Sequence, residues 1–144
     1  MKKLLWTACT ILLIGCYYNV PTYEGFTSYE DVMHWVHENI EQVAEPEGGN
    51  DWKTPAQTYA DRTGDCEDIN GLLMVMLHDA FGVKPEMHGV RMVADDFKTS
   101  HALVYLYGYY YDAVFDTVNR YEAGEYYVIG MLSYNEYILS VWYS

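Results

Sequence analysis

Cys66 stands between Asp65 and Glu67, at the head of a stretch in which Ile69, Leu72, Leu73, Met76, Leu77 and Ala80 recur with helical period until Gly82 supplies a stop. If Asp65 caps that helix, the thiol occupies its first turn, where free backbone N–H groups and the helix dipole favour negative charge. A cysteine so placed is more reactive at neutral pH than one in mid-helix. Asp65, Glu67 and Asp68 act in the opposite sense, keeping the thiol protonated unless they face solvent, cap the backbone or hold a cation. A nucleophilic thiol also needs a base, and His101 opens an apolar strand. If Gly108 and Tyr109 form the two-residue turn after that strand, Tyr107 pairs with Tyr110 and His101 faces Asp116, with β-carbons about 4.5 to 5.5 Å apart. Asp112 then faces Tyr105, about 13 Å along the strand from His101. Thiol, imidazole and carboxylate are the parts of nucleophilic acyl transfer, with Cys66 as nucleophile, His101 as base and acid, and Asp116 as the orienting acid.

The elements that must position these residues are legible from period and turn chemistry. A helix is expected from Thr27 or Ser28, with Thr27 and Glu30 as a capping box and Val32, Trp35, Val36, Ile40 and Val43 as its apolar stripe. Pro46, Gly48 and Gly49 place a loop over Glu45 to Asp51. Thr54 and Pro55 open a short helix that Gly64 closes, and the long helix from Cys66 follows as the central buried one. Beyond Pro85 the pattern turns to strands over Met87 to Val93, Ala102 to Tyr107, Tyr110 to Phe115 and Tyr126 to Met131. Ser133 and Glu136 can cap a short C-terminal helix, with an edge strand over Tyr137 to Tyr143 as the alternative. Helices first and antiparallel strands after them give an α+β domain with helices packed on one sheet. His34 and His37 have a spacing that metal ligands use, but they lie opposite the apolar stripe and read as a solvated face. His78 and His88 have no partner that the sequence identifies.

Residues 1–15 carry Lys2 and Lys3, then the apolar run Leu4 to Ile14, too short for a comfortable membrane span and suited to a secretory leader. Leu13-Ile14-Gly15-Cys16 resembles the lipobox of bacterial lipoproteins, which implies cleavage before Cys16, lipid on its thiol and membrane attachment through that lipid. The expected organisation is a signal peptide over 1–15, a lipid-attached tether over 16–27 with Pro21 and Gly25, and a folded domain over 28–144. With Cys9 removed and Cys16 lipidated, Cys66 is the sole free thiol in a disulfide-permissive compartment outside the cytoplasm. The chain has 8 Lys and Arg against 21 Asp and Glu, a net charge of −13, and loss of Lys2 and Lys3 leaves 6 against 21, or −15. Such a surface repels phosphate, which argues against nucleic acid, and repels anionic lipid, so that attachment to a membrane must come from the lipid. Its 16 tyrosines suit a broad amphipathic surface or groove and equally suit strands.

Trp52, Thr54 and Pro55, then Gly64-Asp65-Cys66-Glu67-Asp68, then His101-Ala102 with its apolar strand, then Asp116 make the chain similar to the transglutaminase-like cysteine hydrolases, including the bacterial transglutaminase-like cysteine proteinases. The resemblance spans Trp52 to Val118, and the Gly-Asp-Cys-Glu-Asp run is its most specific part. It implies a papain-like α+β fold with the cysteine on the central helix, and Cys66, His101 and Asp116 as the triad. It also implies that Asp65 and Glu67 match positions that bind calcium in some envelope proteinases of this type, with helix capping as the other reading; no cofactor is otherwise required. The strand after His101 reads Ala-Leu-Val-Tyr where Ala-Trp-Val-Glu is often seen, and Thr117 stands where Pro or Asn is common, so the substrate class stays open. Gln57 and the Cys66 backbone N–H are the candidate oxyanion donors. The resemblance points to a peptidase, amidase or acyl transferase working on protein or peptide amides in the cell envelope. The alternative is a catalytically silent lipoprotein that uses the same fold to bind an envelope or secreted protein.

Overall fold

The computed structural model describes residues 25–44, 52–93, 96, 98–122 and 124–143. The expected leader over 1–15, Cys16, the tether as far as residue 24 and the loop at 45–51 lie outside them. The first helix, α1 (Tyr29–Asn39), is capped by Ser28 rather than Thr27, and the capping box is closed by Asp31 rather than Glu30. The Ser28 hydroxyl accepts from the Asp31 N–H while the Asp31 carboxylate accepts from the Ser28 N–H, at 3.1 and 3.0 Å. It ends earlier than its stripe suggests, because Ile40 turns extended and β1 (Glu41–Gln42) pairs in parallel with β2 (Thr63–Gly64). Between them α2 (Pro55–Asp61) starts at Thr54 with proline at its first position and stops at Arg62 in the left-handed region.

The central helix α3 (Cys66–Phe81) is capped by Asp65 at one end and by Gly82, at φ 68°, at the other. Ile69, Leu72, Leu73, Met74, Val75, Met76 and Leu77 are all buried, so the helix is covered on every side through its middle. It packs against the sheet, α1 and α2, each fully buried leucine contributing about 1.5 to 3 kcal/mol. The last helix, α4 (Tyr134–Tyr143), lays the buried Tyr137 hydroxyl where a β-carbon on Gly71 would stand, so close approach explains that glycine.

A five-stranded antiparallel sheet forms the other layer, built from β3 (Glu86–Met92), β4 (Ser100–Leu106), β5 (Tyr109–Asp112), β6 (Thr117–Arg120) and β7 (Tyr126–Ser133) in the order β6-β5-β4-β3-β7. The short β6 is an addition to the four expected strands. One face covers α3; the other carries a smaller cluster of Val90, Leu103 and Tyr110. Ser133 and Glu136 exchange capping hydrogen bonds at the start of α4, and that segment is a helix rather than an edge strand.

The β4–β5 hairpin differs from expectation in a way that matters for the site. Its two turn residues are Tyr107 and Gly108, both at positive φ (51° and 87°), so Leu106 pairs with Tyr109 and Tyr105 with Tyr110. A two-residue turn with positive φ at both positions matches the strand twist and places glycine second, not first. The pairing is therefore displaced by two residues from the one that would set His101 opposite Asp116. Strand β5 ends at Asp112, and Asp116 lies in the following turn at φ 53°.

Candidate active site

Cys66 is the first residue of α3, as its neighbours' capping chemistry requires: Asp65 Oδ1 accepts from the N–H groups of Glu67 and Asp68, each at 3.1 Å. The thiol is half-buried and borders a cavity of about 350 Å³ together with Glu67, Ser100 and His101. Its hydrogen is donated to Glu67 Oε2 at 2.9 Å. Burial first, and then this bond and the charge of Glu67, push the thiol up to about 12, against the lowering effect of the Ala102 N–H. The helix start alone thus does not make this thiol acidic; in the arrangement present, its proton is held by a carboxylate.

His101, at the start of β4, places Nε2 2.7 Å from Asp112 Oδ2, and both side chains are about nine-tenths buried or more. Continuing the hairpin register sets Asp112 opposite Leu103, one diagonal step from His101, and diagonal neighbours on one sheet face are within reach of an imidazole. The carboxylate that meets His101 is thus that of Asp112 and not that of Asp116. Asp116 Oδ2 instead meets His34 Nδ1 at 3.0 Å, while His34 Nε2 lies 3.2 Å from Glu38. The Asp116 hydrogen bond, followed by the charge of Glu38, raises the His34 pKa. His37 Nδ1 lies 3.0 Å from the Ala113 carbonyl. The two histidines are exposed, as their position opposite the stripe implies, yet they are not merely solvated, since both tie α1 to the turn at 113–116.

Asn70, fully buried and one turn beyond Cys66, is the residue that sequence reasoning missed. Its amide nitrogen donates to the Ala102 carbonyl at 2.8 Å and to Asp112 Oδ1 at 3.2 Å, and its oxygen accepts from the Ala113 N–H at 3.0 Å. Asp112 Oδ1 also accepts from the Val114 N–H at 3.0 Å. A polar amide four residues after Cys66, within an otherwise apolar helical run, was the available signal.

Gln57 is not brought to the site. It closes the Thr54 capping box, with Oε1 2.8 Å from the Thr54 N–H, and its exposed side chain is outside the lining of the Cys66 cavity. Of the two candidate donors the Cys66 N–H stays beside the thiol; the Glu67 and Asp68 N–H groups are taken by the Asp65 cap, and the Ala102 N–H donates to the sulfur. Asp65 is raised to about 6, by burial first and also by the charges of Glu67 and Asp68, against the Asp68 N–H that it accepts. Asp68 is also raised by burial, although it accepts from the Lys53 N–H at 2.8 Å. The Lys53 ammonium is spent on Thr63 and Asp61. Among the described residues no three His, Cys, Asp or Glu side chains converge in a metal-binding group. The remaining histidines have structural partners: His78 meets the Val83 carbonyl, and the buried His88 lies between Tyr110 and Glu86.

No protein-family model matches the chain, and no curated protein matches it in sequence. Among solved structures it is similar to calcium-bound LapG of Legionella pneumophila, at 17% identity and a TM-score of 0.60 over 72% of this chain and 62% of that one. The EGTA-treated form of LapG is similar at 14% identity and a TM-score of 0.60, over 72% and 61%. The chain thus spans a little over three-fifths of the length of the structures it matches. LapG is a transglutaminase-like cysteine protease. This chain has the transglutaminase-like, papain-like α+β fold, with a helix that starts at Cys66 on an antiparallel sheet.

Proposed function

We propose that the protein is an envelope-anchored cysteine-dependent amide hydrolase that acts on protein or peptide substrates through Cys66, His101 and Asp112. The observation that carries this reading is the 2.7 Å contact of Asp112 with His101, which lines the same cavity as Cys66. With the Nε2 hydrogen donated to Asp112, Nδ1 is the basic nitrogen of His101. The thiol proton passes to Nδ1, the thiolate attacks the amide carbonyl, and the carbonyl electron pair moves onto oxygen beside the Cys66 backbone N–H. Collapse breaks the C–N bond as imidazolium returns its proton to the leaving amine. Water, deprotonated by His101, then releases the acyl group; an amine in its place gives acyl transfer. Asp112 acts throughout by fixing the imidazole and stabilising its charged form.

Substituting Cys66 or His101 by Ala is expected to abolish amide turnover with the fold retained. Asp112→Asn should lower kcat by about two to four orders of magnitude, while Asp116→Asn, which loses only a surface contact to His34, should leave kcat within about twofold. Steady-state kinetics on both variants decides the matter; the reverse order of effects overturns the assignment.

A second reading, a catalytically silent lipoprotein that binds an envelope or secreted protein, is favoured by the thiol held at about 12 beside Glu67. Iodoacetamide labelling of Cys66, followed by intact mass across pH, separates the two. For a hydrolase, labelling at pH 7.5 slows in His101→Ala and quickens about tenfold in Glu67→Gln, because removing the carboxylate lowers the thiol pKa. Equal, slow labelling in all three proteins supports the silent reading.

Asp65 and Glu67 are proposed as oxygen donors to calcium. An all-oxygen set with little cationic compensation suits a hard divalent ion, and backbone carbonyls and water would complete a shell that the side chains alone do not. Bound calcium would supply positive charge beside the thiol. LapG itself is known in calcium-bound and EGTA-treated forms. Because Asp65 is raised from 3.8 to about 6, its ionised form destabilises the fold above about pH 6, and that cost is relieved as pH falls toward 3.8. Calcium at a hundredfold excess over its Kd should therefore raise Tm by about 5 °C or more at pH 7.5 and far less at pH 5, with Asp65→Asn losing the effect. Superimposable melts at pH 7.5 with calcium and with EGTA refute the site.

Anchoring is proposed through lipid on Cys16, after removal of residues 1–15, which leaves the domain from residue 28 on the extracytoplasmic side of a bacterial membrane. The lipobox-like Leu13-Ile14-Gly15-Cys16 order supports it. Intact mass of the wild-type protein should include a diacylglyceryl group that Cys16→Ser lacks; a lipidated Cys16→Ser protein rules the attachment out.

A further inference from the structure

We infer that the cavity beside Cys66 is a seat for one large apolar side chain, Leu, Met or Phe in size, next to the amide under attack, and that the cross-strand pair Gly89 and Gly130 forms its floor. The inference takes from the hydrolase reading only that the cavity receives a peptide. Away from Cys66 and His101, the wall is made by Trp52, Met87, Ile129, Met131 and Leu132. Ile129 and Met131 are about half and two-thirds exposed, so apolar rim is left in water beside the thiol.

The glycines are what make the space. Gly89 on β3 and Gly130 on β7 are directly paired, and neither has the positive φ that would demand glycine. Nor does crowding demand it: a β-carbon on Gly130 would meet no atom within 4 Å, and one on Gly89 would meet Ile129 at 3.5 Å and the Gly130 backbone at 3.9 Å, both ordinary contacts. Glycine in mid-strand weakens a sheet, so two facing each other without backbone or steric cause stand out. What their missing side chains leave open is the cavity. The β-bulge at this point, where the pairing passes from Gly89–Gly130 to Val90–Val128, puts Ile129 out of step and adds it to the same wall. At about 350 Å³ the cavity lies at the small end of ligand-binding pockets, which suits one side chain with the backbone that carries it.

The test is binding rather than turnover, so that it stands apart from catalysis. On Cys66→Ala protein, the Kd values of acetyl-Ala-Xaa-Ala-amide peptides with Xaa as Phe, Leu or Gly are measured by NMR titration. The Phe and Leu peptides are expected to bind about tenfold or more tightly than the Gly peptide, the factor that removing such a side chain from water supplies. Gly130→Phe, added to Cys66→Ala, should bring all three to the affinity of the Gly peptide. Gly130→Ala, which adds one carbon into open space and keeps the fold, should weaken the Phe peptide selectively. Equal affinity for the three peptides, including no binding by any, overturns the inference, as does a loss in the Gly130 variants that is the same for Phe and Gly. Intact discrimination with no amide cleaved by the wild-type protein counts against the hydrolase reading alone.

Discussion

The buried Asn70 amide is the interaction on which the rest of the site depends. From one side chain on α3 it reaches the Ala102 carbonyl of β4, the Asp112 carboxylate at the end of β5 and the Ala113 N–H in the turn that follows. Cys66 precedes it by one helical turn, His101 is the neighbour of Ala102, and Asp112 is its direct partner. The three groups proposed for the chemistry sit on three different elements, and this amide ties those elements together. Each bond contributes about 1 kcal/mol net, but leaving such buried donors and acceptors unpaired costs more, so the network selects one helix-to-sheet geometry over its neighbours. Satisfaction of every group makes it a positioning device.

Around that clamp the site balances two opposing electrostatic demands. The start of α3 offers N–H groups and a favourable dipole, the usual means of stabilising a thiolate. The same turn carries Asp65, Glu67 and Asp68, of which Asp65 is consumed as the cap and Glu67 accepts the thiol proton. Burial outweighs the helix start, since a half-buried sulfur loses hydration that partial backbone charges do not replace. The acids thus hold the thiol protonated, with its hydrogen donated to Glu67 Oε2. The calcium-bound and EGTA-treated LapG structures share this fold, and their likeness bears on the framework rather than on the substrate.

The far side of the site is held by α1. His34 meets Asp116 and His37 meets the Ala113 carbonyl, so the turn that leaves Asp112 is fixed from both sides, by α3 through Asn70 and by α1 through its histidines. Asp116 is therefore part of the frame. Its left-handed backbone, one that aspartate tolerates better than most residues, lets β6 return beside β5.

The sequence by itself determined the central helix from Asp65 to Gly82, the thiol at its first position, the antiparallel strands after Pro85 and hence the α+β class, because caps, periodicity and turn residues act over a few neighbouring positions. It also singled out His101 and the acids around Cys66 as groups with chemistry to perform. Which aspartate meets His101 was decided by whether the turn is Gly108-Tyr109 or Tyr107-Gly108, two local solutions that differ by two residues in every cross-strand partner. Tertiary packing chose between them, because Asn70 bonds Asp112 and the two histidines of α1 bond the following turn. The same holds for Asn70 itself, for the capture of Gln57 by Thr54 and for the cavity over Gly89 and Gly130. Each depends on groups far apart in the chain that only the packed layers bring to hydrogen-bond or van der Waals distance.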